Sequence, residues 1–323
     1  VFKKKTNILI LGGTKFIGKS LIENLDYRFE IDVLSRRRIK ELKIINFYKT
    51  DLKNYKKFLI TKKYDFIIDF ISKDINLLKD ILSKLNFKKY IFISTVWLNK
   101  LNNKSALDKI ILSKNKKIIK NKLTLNYLNT KNKIEHFLIR FSKKLKNKKI
   151  YIIRLPIVFG DNDKTNRLNF FYNRILHNKK IIIINNKKII INCIWVEDFS
   201  KVLKLMLKKK VWPKTQIFEA LNSKNISYKN FISKICEKIK TNVNYIYVNK
   251  NYLNKYYNKF FVYDPFINEI SSKLTKNNLF KITKLKPKTF SFFIKKIKFN
   301  KFLNKSQKNN IFIENNFINK KLL

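Results

Sequence analysis

Short, unbroken apolar runs alternate along this chain with stretches whose apolar residues recur at helical spacing. Ile8 to Leu11, Glu30 to Arg38, Tyr64 to Ile71, Lys89 to Thr95 and Lys149 to Leu155 read as strands buried on both faces. Phe16 to Leu25, Asn76 to Leu85 and Asn132 to Leu145 place their apolar residues along one helix face. Strands alternating with helices predict an α/β fold, a doubly wound parallel sheet with right-handed crossovers. Beyond Gly160 the pattern loosens: Arg167 to His177, Val196 to Leu207 and Tyr228 to Ile239 are helical and Lys180 to Ile194 is strand-like. This suits a smaller C-terminal lobe folded against the carboxyl edge of the sheet. The last stretch, 301–323, is a polar tail. No internal repeat interrupts the pattern.

No apolar run approaches the roughly 18 to 20 residues that span a bilayer. The basic Phe2-Lys-Lys-Lys followed by Ile8 to Leu11 is too short an apolar stretch for a signal peptide, so a cytoplasmic protein is expected.

Composition sharpens this at one place. The 323 residues include four glycines, and three of them, Gly12, Gly13 and Gly18, fall in Gly12-Gly-Thr-Lys-Phe-Ile-Gly18. A chain so short of glycine keeps it where a side chain cannot be tolerated. Buried strand, glycine turn and amphipathic helix together form a dinucleotide-binding opening. The helix start directs unpaired N–H groups at a pyrophosphate, and Gly18 lets helix and strand lie close.

Charge adds less than its size implies. The formal net charge of +53 would ordinarily announce a nucleic-acid partner. Here lysine is spread over the whole chain alongside abundant Asn, Ile, Phe and Tyr, the usage of a very AT-rich genome. Either origin gives a positive field that attracts anionic substrates. Two cysteines, Cys193 and Cys236, and two histidines, His136 and His177, stand without ligand spacing, so no metal site is expected.

Candidate chemistry sits further on. Tyr127-Leu-Asn-Thr-Lys131 places a phenol and an ammonium one helical turn apart. A neighbouring cation favours the phenolate, which fits proton exchange with a carbinol or carbonyl oxygen. Ser94 and Thr95 end a strand ahead of it, where parallel sheets bind their ligands, and Thr95 can hydrogen-bond the same oxygen.

In these segments the chain resembles the extended short-chain dehydrogenase/reductases, the NAD-dependent epimerase/dehydratase family. The resemblance rests on the glycine turn, Asp51-Leu52 after the second helix, Ser94-Thr95, Tyr127 to Lys131 with Glu135, and Ile153-Arg-Leu-Pro-Ile-Val-Phe-Gly160 followed by Val196-Glu-Asp198. It implies a Rossmann domain over 1–160, an interleaved substrate lobe over 161–300, and catalytic roles for Thr95, Tyr127 and Lys131. Gly12, Gly13, Thr14, Lys15, Phe16, Ile17, Gly18, Arg36, Asp51, Leu52 and Ser94 would contact the dinucleotide. Lys131 would also hold its nicotinamide ribose, and Pro156 to Val158 would line the nicotinamide pocket.

Two departures narrow the picture. Lys15 stands where most members carry glycine, which matches a Gly-Gly-Thr-Arg/Lys-Phe-Ile-Gly subgroup that also resembles chloroplast stem-loop RNA-binding proteins. Thr95 is followed by Val96-Trp97 in place of the Asp-Glu of the family's 4,6-dehydratases, which disfavours dehydration. Strand two ends Ser35-Arg36-Arg37 with Asp32 inside it, which favours NADP over NAD. The expectation is an epimerase or reductase acting on a nucleotide-activated sugar, a homodimer by resemblance. The alternative is an RNA-binding protein on the same scaffold, whose basic residues and exposed aromatics would gather on one face.

Overall fold

The computed structural model describes residues 4–37, 45–100, 121–161, 163, 167–178, 180–184, 190–209, 211–222, 226–248, 277–299, 308 and 311. In chain order the elements are β1 (Thr6–Leu11), α1 (Phe16–Asn24), β2 (Phe29–Ser35), β3 (Ile45–Lys49), α2 (Lys56–Leu59), β4 (Lys63–Asp69), α3 (Ile75–Lys84), β5 (Asn86–Thr95), α4 (Asn121–Ser142), β6 (Lys149–Leu155) and β7 (Ile157–Phe159). There follow α5 (Arg167–Asn178), β8 (Lys180–Ile184), β9 (Ile190–Ile191), β10 (Cys193–Trp195), α6 (Val196–Lys208), β11 (Ile217–Glu219), β12 (Ile226–Ser227), α7 (Tyr228–Ile239), β13 (Asn244–Val248), α8 (Leu279–Thr283) and α9 (Phe290–Lys296).

Seven strands form one parallel sheet in the order β11-β6-β5-β4-β1-β2-β3. It winds outward from β1 in one direction and then, from β4, in the other, so β1 and β4 are neighbours at the switch point. There the carboxyl ends of the strands leave a crevice. Alternate residues of β1 feed opposite layers, as the two-residue period of a strand requires. Ile8 and Ile10 pack with α1, α6 and Trp212, while Leu9 and Leu11 pack with α3 and α4. The expected doubly wound α/β fold is therefore the one observed.

A second, smaller apolar cluster belongs to the later elements. Phe159, Phe171, Trp195, Phe231, Phe290 and Phe293 are its large side chains, drawn from β7, β10, α5, α7 and α9. Three two-stranded sheets frame it: β10 with β7, β12 with β9, and β13 with β8.

The strand-like stretch Lys180 to Ile194 holds, among the described residues, β8, β9 and the start of β10, each with a different partner. β3 carries Asn46 and a lysine among its five residues and lies at the sheet edge, so its apolar run is too short to stand out. Asp51, expected after a helix, follows β3. The helix expected over Tyr127 to Leu145 spans Asn121–Ser142 and carries Tyr127 and Lys131 within it. The polar tail 301–323 lies outside the described residues apart from Lys308 and Ile311, the latter buried against the second cluster.

A candidate dinucleotide and catalytic site

The glycine turn is fastened on three sides. The Gly12 amide donates to Leu34 O at 2.9 Å, and Gly12 itself holds φ at +82°, where an L side chain is strained. A Cβ on Gly18 would lie 2.5 Å from the Gly13 Cα, so α1 rests directly on the backbone of the turn. Thr14 Oγ1 and Ser35 Oγ lie 2.8 Å apart and join the turn to the end of β2.

Lys15 occupies the N-cap of α1 with extended backbone, φ −128° and ψ 153°, a conformation open to any residue. Its exposed side chain makes no capping bond, leaving the first amides of α1 directed outward beside an ammonium. Phe16, the next residue, has φ +25°, a strained value for a non-glycine residue. Its ring reaches Gly160, whose added Cβ would be 3.4 Å from Phe16 Cε2, so the turn after β1 and the turn after β7 meet. Ile17 and Gly18 then enter the helix.

At the end of β2, Arg36 and Arg37 are exposed. Asp32 is buried and fully engaged, accepting from Lys62 Nζ at 2.8 Å, Asn46 Nδ2 at 2.9 Å and Tyr64 OH at 2.7 Å. Burial, followed by this carboxylate, pushes the Tyr64 phenol far above its ordinary value. Asp51 is exposed and accepts from Lys53 N at 3.1 Å, capping the single turn that begins at Leu52.

Asp69, at the end of β4, was not among the expected residues. It is fully buried and accepts from the amides of Ile71 at 2.8 Å and Ser72 at 2.9 Å and from Tyr90 OH. It thereby fixes the turn whose Ile71 lies against Gly12, where an added Cβ would fall 2.1 Å from Ile71 Cγ2. Its signal was present as an acid closing the apolar run Phe66 to Ile68.

Ser94 and Thr95 end β5 and are both buried. Ser94 Oγ has no hydrogen-bond partner among the described residues, and Thr95 Oγ1 accepts from Trp97 N at 3.3 Å. Lys131 comes to the same strand: its ammonium donates to Ile93 O at 2.8 Å and sits 4.2 Å from the centroid of the Phe92 ring. Burial lowers its pKa to about 8, against the upward pull of Asp69 and Glu135. Tyr127, one turn earlier on α4, is 49 % exposed. Protein crowding around its phenol raises the pKa, and the charge of Arg167 draws it back. The cation that acts on Tyr127 is thus contributed by α5, while Lys131 turns its ammonium to β5.

Behind Lys131 lies a buried ionic group. Arg154 of β6 donates from Nη2 to Glu135 Oε2 at 2.6 Å, with Nε 3.2 Å from each carboxylate oxygen. Its Nη1 donates to Asn99 Oδ1 at 2.5 Å, and Asn99 Nδ2 donates to Glu219 Oε1 at 2.5 Å. Pro156 and Val158 are buried just past β6, with Val158 paired to Ile194 across β7 and β10. Of the two arginines of α5, Arg167 opens the helix, one-third exposed and 4.0 Å from Asp163. Arg174 is instead buried within the second cluster, donating from Nη1 to Tyr228 OH at 3.2 Å. Among the described residues no group of three or more His, Cys, Asp or Glu could hold a metal ion, and both cysteines are buried free thiols. No helix among them is long and apolar enough to cross a membrane.

The sequence matches no protein-family model and no curated protein. The fold does match solved structures of nucleotide-sugar enzymes. A UDP-N-acetylglucosamine 4-epimerase from Methanobrevibacter ruminantium M1, in complex with UDP-N-acetylmuramic acid, superposes with a TM-score of 0.63 at 16 % identity, covering 91 % of this chain and 97 % of that one. The UDP-glucose 4-epimerase of Thermotoga maritima, with UDP-glucose, gives 0.61 at 15 %, covering 90 % and 96 %. A dTDP-glucose 4,6-dehydratase from Bacillus anthracis in complex with NAD gives 0.61 at 13 %, covering 90 % and 94 %. The chain therefore has the fold of the NAD-dependent epimerases and dehydratases, the extended short-chain dehydrogenase/reductase architecture.

Proposed function

We propose that this protein is a nicotinamide-dinucleotide-dependent epimerase or reductase of a nucleotide-activated sugar. One observation carries this reading: the glycine turn and the Lys131 ammonium, fixed on Ile93 O beside Thr95, stand on the same carboxyl edge of the sheet. The residues present fit a dinucleotide. The uncapped start of α1 with Lys15 offers amides and charge to its pyrophosphate, and the missing side chains of Gly12 and Gly18 let Ile71 and the Gly13 backbone close tightly on the turn. When bound, the dinucleotide supplies the acceptor or donor of hydride.

The remaining chemistry falls to this chain. Tyr127 exchanges a proton with the sugar hydroxyl or keto oxygen, Thr95 orients that oxygen, and Lys131 positions the nicotinamide ribose. Asp51 and Leu52 flank the adenine, and Pro156 to Val158 line the nicotinamide. The dinucleotide half ends near Gly160, with 161–300 as the substrate lobe. Val96 and Trp97 offer neither acid nor base after Thr95, so elimination of water has no proton donor or acceptor at those positions. NADP is favoured because the acid of β2, Asp32, is consumed inside the structure, while Arg36 and Arg37 are exposed at the strand's end, where they would meet a 2′-phosphate.

The test is fluorescence titration with NADPH and NADH at two salt concentrations, followed by NMR of UDP-glucose and UDP-N-acetylglucosamine incubated with the protein loaded with NADP+ or NAD+, the oxidised form that accepts hydride from a sugar hydroxyl. The expected result is saturable binding with NADPH tighter, weakened by Arg36→Glu, and a change at the sugar that Tyr127→Phe abolishes while dinucleotide binding persists. Absence of binding by either dinucleotide at any salt would sink the proposal in favour of RNA, to be sought with a labelled single strand.

A further inference from the structure

Thr95 closes β5, and the chain leaves it through a single tight turn, Val96–Lys100. Within that turn Leu98 is fully buried and Trp97 N donates to the Thr95 hydroxyl. Asn99 is the polar anchor of the turn, and its two amide ends meet groups of opposite charge. Oδ1 accepts from the Arg154 guanidinium and Nδ2 donates to the Glu219 carboxylate, both at 2.5 Å. A flipped amide would set donor against donor at Arg154 and acceptor against acceptor at Glu219, so its orientation is fixed by polarity as well as by space. Arg154 is held in turn by Glu135, one helical turn past Lys131. Glu219 ends β11, opposite Arg154 in register, and its own amide donates to Asn277 O at 3.2 Å. Arg154, Glu135 and Glu219 are all nine-tenths or more buried, where a misplaced partner is costly.

We propose that Asn99 and Glu219 are positioning residues: a buried, polarity-locked strut from β11 to the turn that leaves Thr95, holding its hydroxyl in register with the helix of Tyr127 and Lys131. Neither residue needs to touch ligand. The strut rests on the proposed function only for its consequence in catalysis; its structural half stands by itself.

The strut can be inverted without changing its net charge. Asn99→Asp keeps an acceptor for Arg154 but faces Glu219 with a second carboxylate. Adding Glu219→Gln converts that partner into a donor, and both bonds form again with the second one reversed. The chain has three tryptophans, Trp97, Trp195 and Trp212, and Trp97 lies inside the turn. With 5-fluorotryptophan incorporated, ¹⁹F NMR gives each its own resonance, assigned by Trp97→Phe, and Trp195 and Trp212 report whether the fold persists.

Asn99→Asp is expected to move the Trp97 resonance while the other two stay, and Asn99→Asp/Glu219→Gln is expected to bring it back. Should Asn99→Asp unfold the protein, Glu219→Ala is expected to move Trp97 and Glu219→Gln, whose carbonyl still accepts from Asn99, to leave it in place. On the sugar nucleotide the protein turns over, kcat should fall on the order of 10- to 100-fold in Asn99→Asp and recover in the double variant. Dinucleotide affinity should stay within about twofold throughout. An unmoved Trp97 resonance, a double variant that does not recover, or a kcat indifferent to a displaced turn would each overturn the strut. A wild-type protein that binds no dinucleotide but shows the same Trp97 pattern would retain the strut and refute the enzymatic reading.

Discussion

At the scale of single residues, Lys131 is the most sensitive group in the site. A buried ammonium bears a desolvation cost that its neutral form escapes, which is why its pKa falls from 10.5 to about 8. Between those values the unfolded chain binds more protons at this position than the folded one, so folded stability attributable to Lys131 rises with pH from about 8 to about 10.5. Below that window the full cost, up to about 3 kcal/mol, is present. Urea unfolding at pH 7.5 and 9.5 should therefore show Lys131→Met more stable relative to wild type at the lower pH, with the advantage shrinking at the higher. An unchanged difference between the two would mean the ammonium is better solvated than its surroundings indicate. Tyr127 behaves oppositely: its raised phenol keeps its proton at neutral pH, and with Lys131 turned to Ile93 O the drive toward phenolate falls to Arg167. Arg167→Gln should accordingly raise the phenol further and shift the basic limb of a Tyr127-dependent rate profile toward higher pH where the phenol acts as acid in the rate-limiting step. Where it acts as base, the rise should move to higher pH.

At the scale of elements, the glycine turn was legible because one short segment held three kinds of signal at once: a buried strand, concentrated glycine and an amphipathic helix. The contacts show which glycine the packing needs most. Gly18→Ala forces a methyl to 2.5 Å from the Gly13 Cα, a backbone atom with nowhere to go. A loss of about 1–3 kcal/mol is expected, together with weaker dinucleotide binding. Lys15→Gly, which restores the commoner pattern at an extended position, should change stability by under about 1 kcal/mol while removing one charge from the turn. Denaturation midpoints of the two variants separate packing from charge. In the second cluster, Phe231 is fully buried and its ring lies 5.2 Å from Phe171 and 4.8 Å from Phe290. Phe231→Ala should cost about 3–5 kcal/mol by calorimetry. Among the strands, the hydrophobic pattern missed β3, β7, β11, β12 and β13, none longer than five residues. A strand of two to five residues offers too few positions to establish a period, and its identity comes from the partner it pairs with.

At the scale of the whole molecule, long-range polar contacts leave no local trace. Asn99 and Glu219 are 120 positions apart, and nothing in either neighbourhood announces the other. Tyr127 and Lys131 could be placed on one helix because their spacing is local, whereas the strut could be seen only after β11 had been placed beside β6. Net charge is legible at this scale but ambiguous in purpose, and its distribution decides what it does. The 74 lysines and arginines against 21 acids are spread along the whole sequence, and the positive field they set up would draw in an anionic ligand such as the proposed dinucleotide. Two contributions to affinity can then be separated by salt. The diffuse field is screened over a Debye length of about 10 Å at 0.1 M, whereas Lys15 at the head of α1 acts at contact distance. Dinucleotide association rates should fall severalfold between about 0.05 and 0.3 M salt with dissociation rates nearly constant. Reversal of a remote exposed charge such as Lys63→Glu should lower association alone and only slightly. Lys15→Glu should raise dissociation as well, and that increase should survive at high salt. Stopped-flow measurement of both rates checks this: a Lys15→Glu effect that vanishes at 0.3 M along with the Lys63→Glu effect would reduce Lys15 to one more contributor to the general field.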